Sequence, residues 1–149
     1  MVGLEHIKEL QQRVETLGRC ISIDDKRADV AQRQERTLAA DFWDDPKDAE
    51  KFLKEMAGVK FWVTGYDKVA AAAEDLNVLH DFAKESLSGV ADDTVTDEVE
   101  ELEQAYRSAL SELEALELRN MLGEEGDNLG AVLRHGGLRQ HQRRGCAED

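Results

Sequence analysis

Apolar residues recur along this chain at steps of three and four, in four separate stretches. In the first, Leu4, Ile7, Leu10, Val14 and Leu17 fall on one face of a helix from about residue 4 to 19, and Gly18 lies where that helix would end. The second opens at Ser22-Ile23-Asp24-Asp25, a capping-box pattern with Asp in the place of Glu, and runs to about Leu38 with a sparse apolar side of Ala28, Val30, Ala31 and Leu38. The third begins at Pro46. Phe52, Met56, Val59, Val63, Tyr66, Ala70 and Ala73 alternate steps of four and three, and this heptad seam continues less regularly through Leu76, Leu79 and Ala83. A helix reaching Leu87 would be roughly 60 Å long. Gly58 and Gly65 interrupt it at a cost of ~1 kcal/mol each relative to Ala, so packing by Phe61, Trp62 and the seam has to offset them. In the fourth stretch, from about Thr96 to Leu122, Val99, Leu102, Tyr106, Ala109, Leu113 and Leu116 repeat the alternation before Gly123 ends it.

Ser88-Gly89 and Asp92-Asp93 mark a short turn between the two long patterns, and a short turn between long amphipathic helices predicts an antiparallel hairpin. The expected fold class is all-α: a long antiparallel helical hairpin, coiled-coil-like, over residues 46–122, with two shorter N-terminal helices packed on it. Its expected core is Leu10, Val14, Leu17, Trp43, Phe52, Met56, Val59, Val63, Tyr66, Val99, Leu102, Tyr106, Ala109 and Leu113. A core this thin would leave seam residues exposed, and a homodimer formed through the helical seams is one way to bury them.

The corner between the second and third stretches, Asp41-Phe42-Trp43-Asp44-Asp45-Pro46, holds the only proline of the chain. Asp45 is placed to cap backbone N–H groups, and Pro46 suits the first helical position, where its missing N–H is not needed. Phe42 and Trp43 sit just outside that start, positioned to wedge the bundle. Asp41, Phe42, Trp43, Asp45 and Pro46 are therefore the candidate site residues, with a structural role.

Charge changes the functional picture more than the fold. The chain carries 33 acidic and 19 basic residues for a net charge of −14, which disfavours direct nucleic-acid binding because phosphate contact needs clustered Lys and Arg. Residues 134–149 reverse the sign. Four Arg against two acids give that segment a net +2, whereas the remaining 15 basic and 31 acidic residues give 1–133 a net −16. Two regions are expected accordingly: a helical domain over 1–133 and an aberrant basic tail over 134–149. Ala131-Val132-Leu133 reads as the start of a strand. No stretch approaches the ~20 apolar residues of a membrane span, and no secretion signal is visible, so a cytoplasmic location is expected.

Chemistry is sparse. Cys20 and Cys146 show no metal-type spacing and read as two unrelated thiols. His6 and His80 read as surface or boundary histidines; His135 and His141 lie in the tail and match no zinc pattern. No carboxylate pair stands out as a tuned acid and base, and no Gly-rich phosphate loop follows a strand. Neither an enzyme nor a cofactor is indicated.

The segment Leu-Gly-Arg-Cys-Ile-Ser-Ile-Asp-Asp-Lys-Arg at 17–27, the Asp-Phe-Trp-Asp-Asp-Pro corner, and Leu-Glu-Leu-Arg-Asn-Met-Leu-Gly-Glu at 116–124 together resemble the N-terminal domain of bacterial peptide chain release factor 2. The resemblance covers about residues 4–133. It implies a role in translation termination at UGA and UAA, with ribosomal docking towards the stalk-base proteins of the large subunit. Codon reading by a Ser-Pro-Phe loop and peptidyl-tRNA hydrolysis by a Gly-Gly-Gln loop would lie beyond residue 149 in that family, and neither tripeptide occurs here. The resemblance thus implies a truncated homologue without catalysis, and the basic departure at 134 suggests a frameshifted reading. The alternatives are a self-associating helical interaction module and a non-functional gene relic.

Overall fold

The computed structural model describes residues 1–91 and 94–123. Four helices follow in order: α1 (Leu4–Cys20), α2 (Ile23–Arg36), α3 (Pro46–Ser86) and α4 (Asp97–Met121), with a single 3₁₀ turn at Phe42–Asp44 ahead of α3. Strands are absent among the described residues. The fold is all-α, with α3 and α4 forming a long antiparallel hairpin and α1 and α2 packed on it. The expectations on residues 124–149, including the strand start at 131–133, the tail boundary at 134 and Cys146, lie outside the described residues. Cys20, expected as one of two unrelated thiols, is instead disulfide-bonded.

α3 is the spine of the molecule, and its two halves bury different faces. From Trp62 onward the fully buried positions are Trp62, Val69, Ala73, Leu76, His80 and Ala83, with half-buried Tyr66 filling the remaining step, so that threes and fours alternate without a break. This stripe meets Val99, Leu102, Ala109, Leu113 and Leu116 of α4, joined by Ile7, Leu10, Val14 and Leu17 of α1. Each large apolar side chain withdrawn from water here contributes about 1.5–3 kcal/mol. The N-terminal half of α3 leans on α2 instead. Phe52, Met56 and Val59, expected in the core, are only half-buried there, because α2 has just two buried side chains, Ile23 and Val30, to set against them. Ala28, Ala31 and Leu38, the rest of the expected apolar side of α2, are exposed.

α3 runs unbroken through both Gly58 and Gly65. Trp62 supplies the compensation expected of it, at 3% exposure, and Gly65 lies against Leu116 of α4. Phe61 stays largely exposed, with the Arg119 guanidinium 4.3 Å over its ring.

Two helix-end readings are corrected. α1 does not stop at Gly18 but continues to Cys20, and Gly18 is buried in its last turn where Tyr66 presses against it. Ser22 forms no side-chain cap on α2. An N-cap side chain reaches its target from an extended backbone, but Ser22 adopts φ 52, ψ 56, a left-handed conformation that closes α1 and opens α2 within one residue. The α1 carbonyl end is instead covered by Lys26, whose Nζ donates to the Ile21 carbonyl at 2.8 Å.

The far end of the hairpin is fastened by hydroxyls. The Thr96 Oγ1 accepts from the Val99 N–H at 3.2 Å, capping α4, and lies 2.7 Å from Ser86 Oγ at the end of α3. Gly123, at φ 87, takes the left-handed position just past the end of α4 that ordinary residues avoid. Ion pairs tie the helices along their length: Lys68 to Glu112 between α3 and α4 at 3.3 Å, and the forked Arg13–Glu117 pair between α1 and α4. The hydrogen bond to Glu117 is the main cause that raises the Arg13 pKa, against a smaller opposing effect of burial.

Candidate functional site at the aromatic corner

The corner is assembled from the end of α2, the 3₁₀ turn and the first turn of α3. Asp45 has extended backbone angles and its Oδ1 accepts from the N–H groups of Lys47 at 3.1 Å and Asp48 at 3.3 Å, with Pro46 at the helix start. Two of the donors that a helix start leaves without partners are thereby satisfied. Asp41 accepts from Arg36 Nη1 at 3.3 Å, which anchors the chain entering the turn to the last turn of α2.

Phe42 is the buried ring of the corner. It meets Trp43 edge-to-face at 4.8 Å and Phe52 at 5.2 Å, the arrangement that aromatic quadrupoles favour. Arg36 lies over Phe42 at 5.6 Å and Arg33 over Phe52 at 5.2 Å. Arg33 also donates to Asp29 at 2.9 Å and to Glu55 at 3.3 Å. The hydrogen bond to Asp29 is the first cause of its raised pKa.

Trp43, expected to wedge the bundle as a core residue, is instead 57% exposed. The wedge is Phe42, and the 3₁₀ turn sends the next side chain outward, where Trp43 forms one wall of an apolar hollow of about 460 Å³ with Pro46, Ala49 and Leu53. Asp41, Phe42, Asp45 and Pro46 thus shape the chain locally, and Trp43 faces outward.

The chemistry of this arrangement is packing and recognition. Nothing at the corner pairs a nucleophile with a base. Among the described residues no group of three or more His, Cys, Asp or Glu could hold a metal ion. His6 lies edge-on to Tyr106 at 6.4 Å. His80, expected at a surface or boundary, is instead buried in the seam of α3 with its Nδ1 lacking any hydrogen-bond partner. Its position in the three-four alternation explains the burial: every residue in that register faces α4 or α1 whatever its polarity. No helix among the described residues is long and apolar enough to cross a membrane.

Comparison with known proteins adds one consistent likeness. Over 129 residues the chain is 29% identical to peptide chain release factor 2 of Streptomyces avermitilis, and over the same length it is 26% identical to the factor of Nautilia profundicola. A further match, 25% identical over 127 residues, is to peptide chain release factor 2 of Mycolicibacterium vanbaalenii. These alignments take in 85–87% of this chain, yet the chain spans only about a third (33%) of the length of each of these relatives. No family model matches, and no solved structure matches.

Proposed function

We infer that this chain, a relative of bacterial peptide chain release factor 2 over most of its described length, acts as a ribosome-docking helical module without the chemistry of termination. The observation that carries this reading is the breadth of the likeness: 87% of the chain aligns with a release factor 2, in a stretch covering 33% of that relative. Only the N-terminal part of the relatives is matched, and neither Gly-Gly-Gln nor Ser-Pro-Phe occurs in these 149 residues. Among the described residues no group is placed to activate water, and what they form is a helical body suited to meeting a protein surface. On this reading the partners are stalk-base proteins of the large subunit, the location is cytoplasmic, and residues 134–149 form a basic tail separate from the domain over 1–133.

Self-association through the helical seams has less to work with. Among the described residues the seams of α3 and α4 face each other within one chain, and this favours docking of the hairpin over pairing of its seams with a second copy.

Two measurements test the proposal. Purified chain should co-sediment with 50S subunits in a salt-sensitive manner, and it should compete with full-length release factor 2. In a release assay on UGA-programmed ribosomes it should liberate no peptide. Absence of 50S binding, under conditions where the full-length factor binds, would remove the docking role, and peptide release would remove the non-catalytic one.

A further inference from the structure

Two apolar hollows on this molecule have opposite electrical character. At the corner, beside Trp43 and Leu53, the rim charges Glu50 and Lys54 pair with each other at 3.1 Å, so that hollow is electrically settled. At the other end of α3, next to the hairpin turn, a groove of about 390 Å³ is floored by Leu79 and Phe82 and rimmed by Glu85 of α3 and by Glu98 and Glu101 of α4. Phe82 is 56% exposed, and Val78, one turn earlier, is 53% exposed. The pair extends an apolar strip along the outside of the hairpin.

The three rim carboxylates have no ion-pair partner among the described residues. Further along α4 the pattern differs: Glu103 meets the amino terminus, Glu112 meets Lys68, and Glu114 and Glu117 meet Arg13. On α4, then, the carboxylates without an ion pair lie at the end where a large aromatic side chain is also left in water. For Glu98, in the first turn of α4, the helix N-terminus supplies a local reason. Glu101 lies beyond that turn. Glu85 sits in the last turn of α3, where the helix dipole disfavours an anion. No contact within the described residues offsets that cost.

We propose that the Phe82 groove at the hairpin tip binds a cationic, apolar-anchored segment of another protein. Such a segment would set Lys or Arg side chains against Glu85 on one rim and Glu98 and Glu101 on the other, and an aliphatic or aromatic side chain against Phe82 and Leu79. Charge selects this occupant over the alternatives. A second copy docked groove to groove would bring the same carboxylates face to face, and a nucleic acid or anionic lipid surface would meet the same repulsion. The groove's chemistry does not depend on ribosomal docking, and its test uses no ribosomes.

The probe is a fluorescently labelled amphipathic peptide of Leu and Lys with one central Phe, titrated against the full chain. One control peptide carries Glu for Lys, and a second carries Ser for Leu and Phe. The Lys/Leu peptide should bind and weaken as salt is raised, and the controls should not bind. Phe82→Ala and the pair Glu98→Gln/Glu101→Gln should each weaken binding by about tenfold or more, while Leu38→Ala, an exposed residue beyond the end of α2, leaves it unchanged. The carboxamide pair keeps the apolar floor intact, so it reads the groove even where Phe82→Ala alters the hairpin. Three results would overturn the proposal: no binding; binding that depends on the charges but is indifferent to Phe82; or a dimer in sedimentation that Phe82→Ala dissociates, which would make a second copy the occupant.

Discussion

Gly18 of α1 and Tyr66 of α3 fit together with no room for another atom: a Cβ built on Gly18 would stand 2.6 Å from the Tyr66 hydroxyl oxygen and 2.9 Å from the ring carbon that bears it. The tip of the Tyr66 ring lies closer to the α1 backbone than a side chain at position 18 would permit. Glycine costs ~1 kcal/mol against Ala in a helix interior, so the close packing of the Tyr66 ring has to offset that loss.

Gly18→Ala should therefore destabilise the protein by about 1–3 kcal/mol, against the ordinary sign of a Gly-to-Ala change within a helix. Chemical denaturation of the single variant, and of Gly18→Ala combined with Tyr66→Ala, checks it. The second change should cost much less on the alanine background than on the parent, because it removes the clash.

Tyr66 also links stability to alkaline pH. Burial raises its pKa above the ordinary value of ~10, helped by Glu15, Asp24 and Asp67 and opposed by Arg27. Below that ordinary value both folded and unfolded chains hold the phenol proton, and the contribution is complete. As pH rises towards the folded value the unfolded chain ionises first, and stability falls. Urea unfolding followed from about pH 9 to about pH 11 should show a steeper loss in the parent than in Tyr66→Phe.

The two tryptophans should behave oppositely. Trp62 is buried under Arg119 and the α4 face, so Trp62→Ala should cost about 3–5 kcal/mol. Trp43 meets the protein chiefly through one edge-to-face contact with Phe42, and Trp43→Ala should cost no more than about 1.5 kcal/mol. Acrylamide quenching of the single-tryptophan variants offers a second check, with Trp43 the accessible one.

Asp45→Ala removes the acceptor for two backbone N–H groups at the start of α3 and should cost about 0.5–2 kcal/mol. Asp45→Asn, which retains the oxygen, should recover most of it. Thermal melts of the pair measure the difference.

His80→Leu should raise stability by about 1 kcal/mol. It replaces a buried ring whose Nδ1 has no partner with an apolar side chain suited to the seam. A lower melting temperature in the variant would mean that the imidazole has a partner in solution.

The long hairpin was legible because two seams of alternating threes and fours are hard to satisfy any other way. Every predicted seam residue of α4 lies in its interface, four of them fully buried along with Leu116, and Tyr106 partly. On α3 the expected seam holds at Ala73, Leu76 and Ala83, but at Val63, Ala70 and Leu79 the fully buried position is the neighbouring Trp62, Val69 or His80. A broad apolar face admits either register from spacing, and the partner helix decides between them. Which ring at the corner points inward was not legible either. Phe42 and Trp43 are adjacent and similar in polarity, and only the 3₁₀ geometry separates them. Phe82 carried a faint signal, a large apolar residue off the seam, whose meaning depends on carboxylates contributed by a different helix.

Bonds to α4 from α1 and from the residues just ahead of it join distant parts of the described chain: the Val2 N–H donates to Glu103 at 2.8 Å, and Arg13 grips Glu117. Since a nascent chain emerges from its N-terminus, α1 is made before α4, and its packing is completed only when α4 arrives. Until α4 has left the exit tunnel, Ile7, Leu10 and Val14 have only part of their eventual surroundings. A ribosome stalled within the codons for α4 would hold α1 at the tunnel mouth with its apolar face only partly covered, open there to chaperones and proteases.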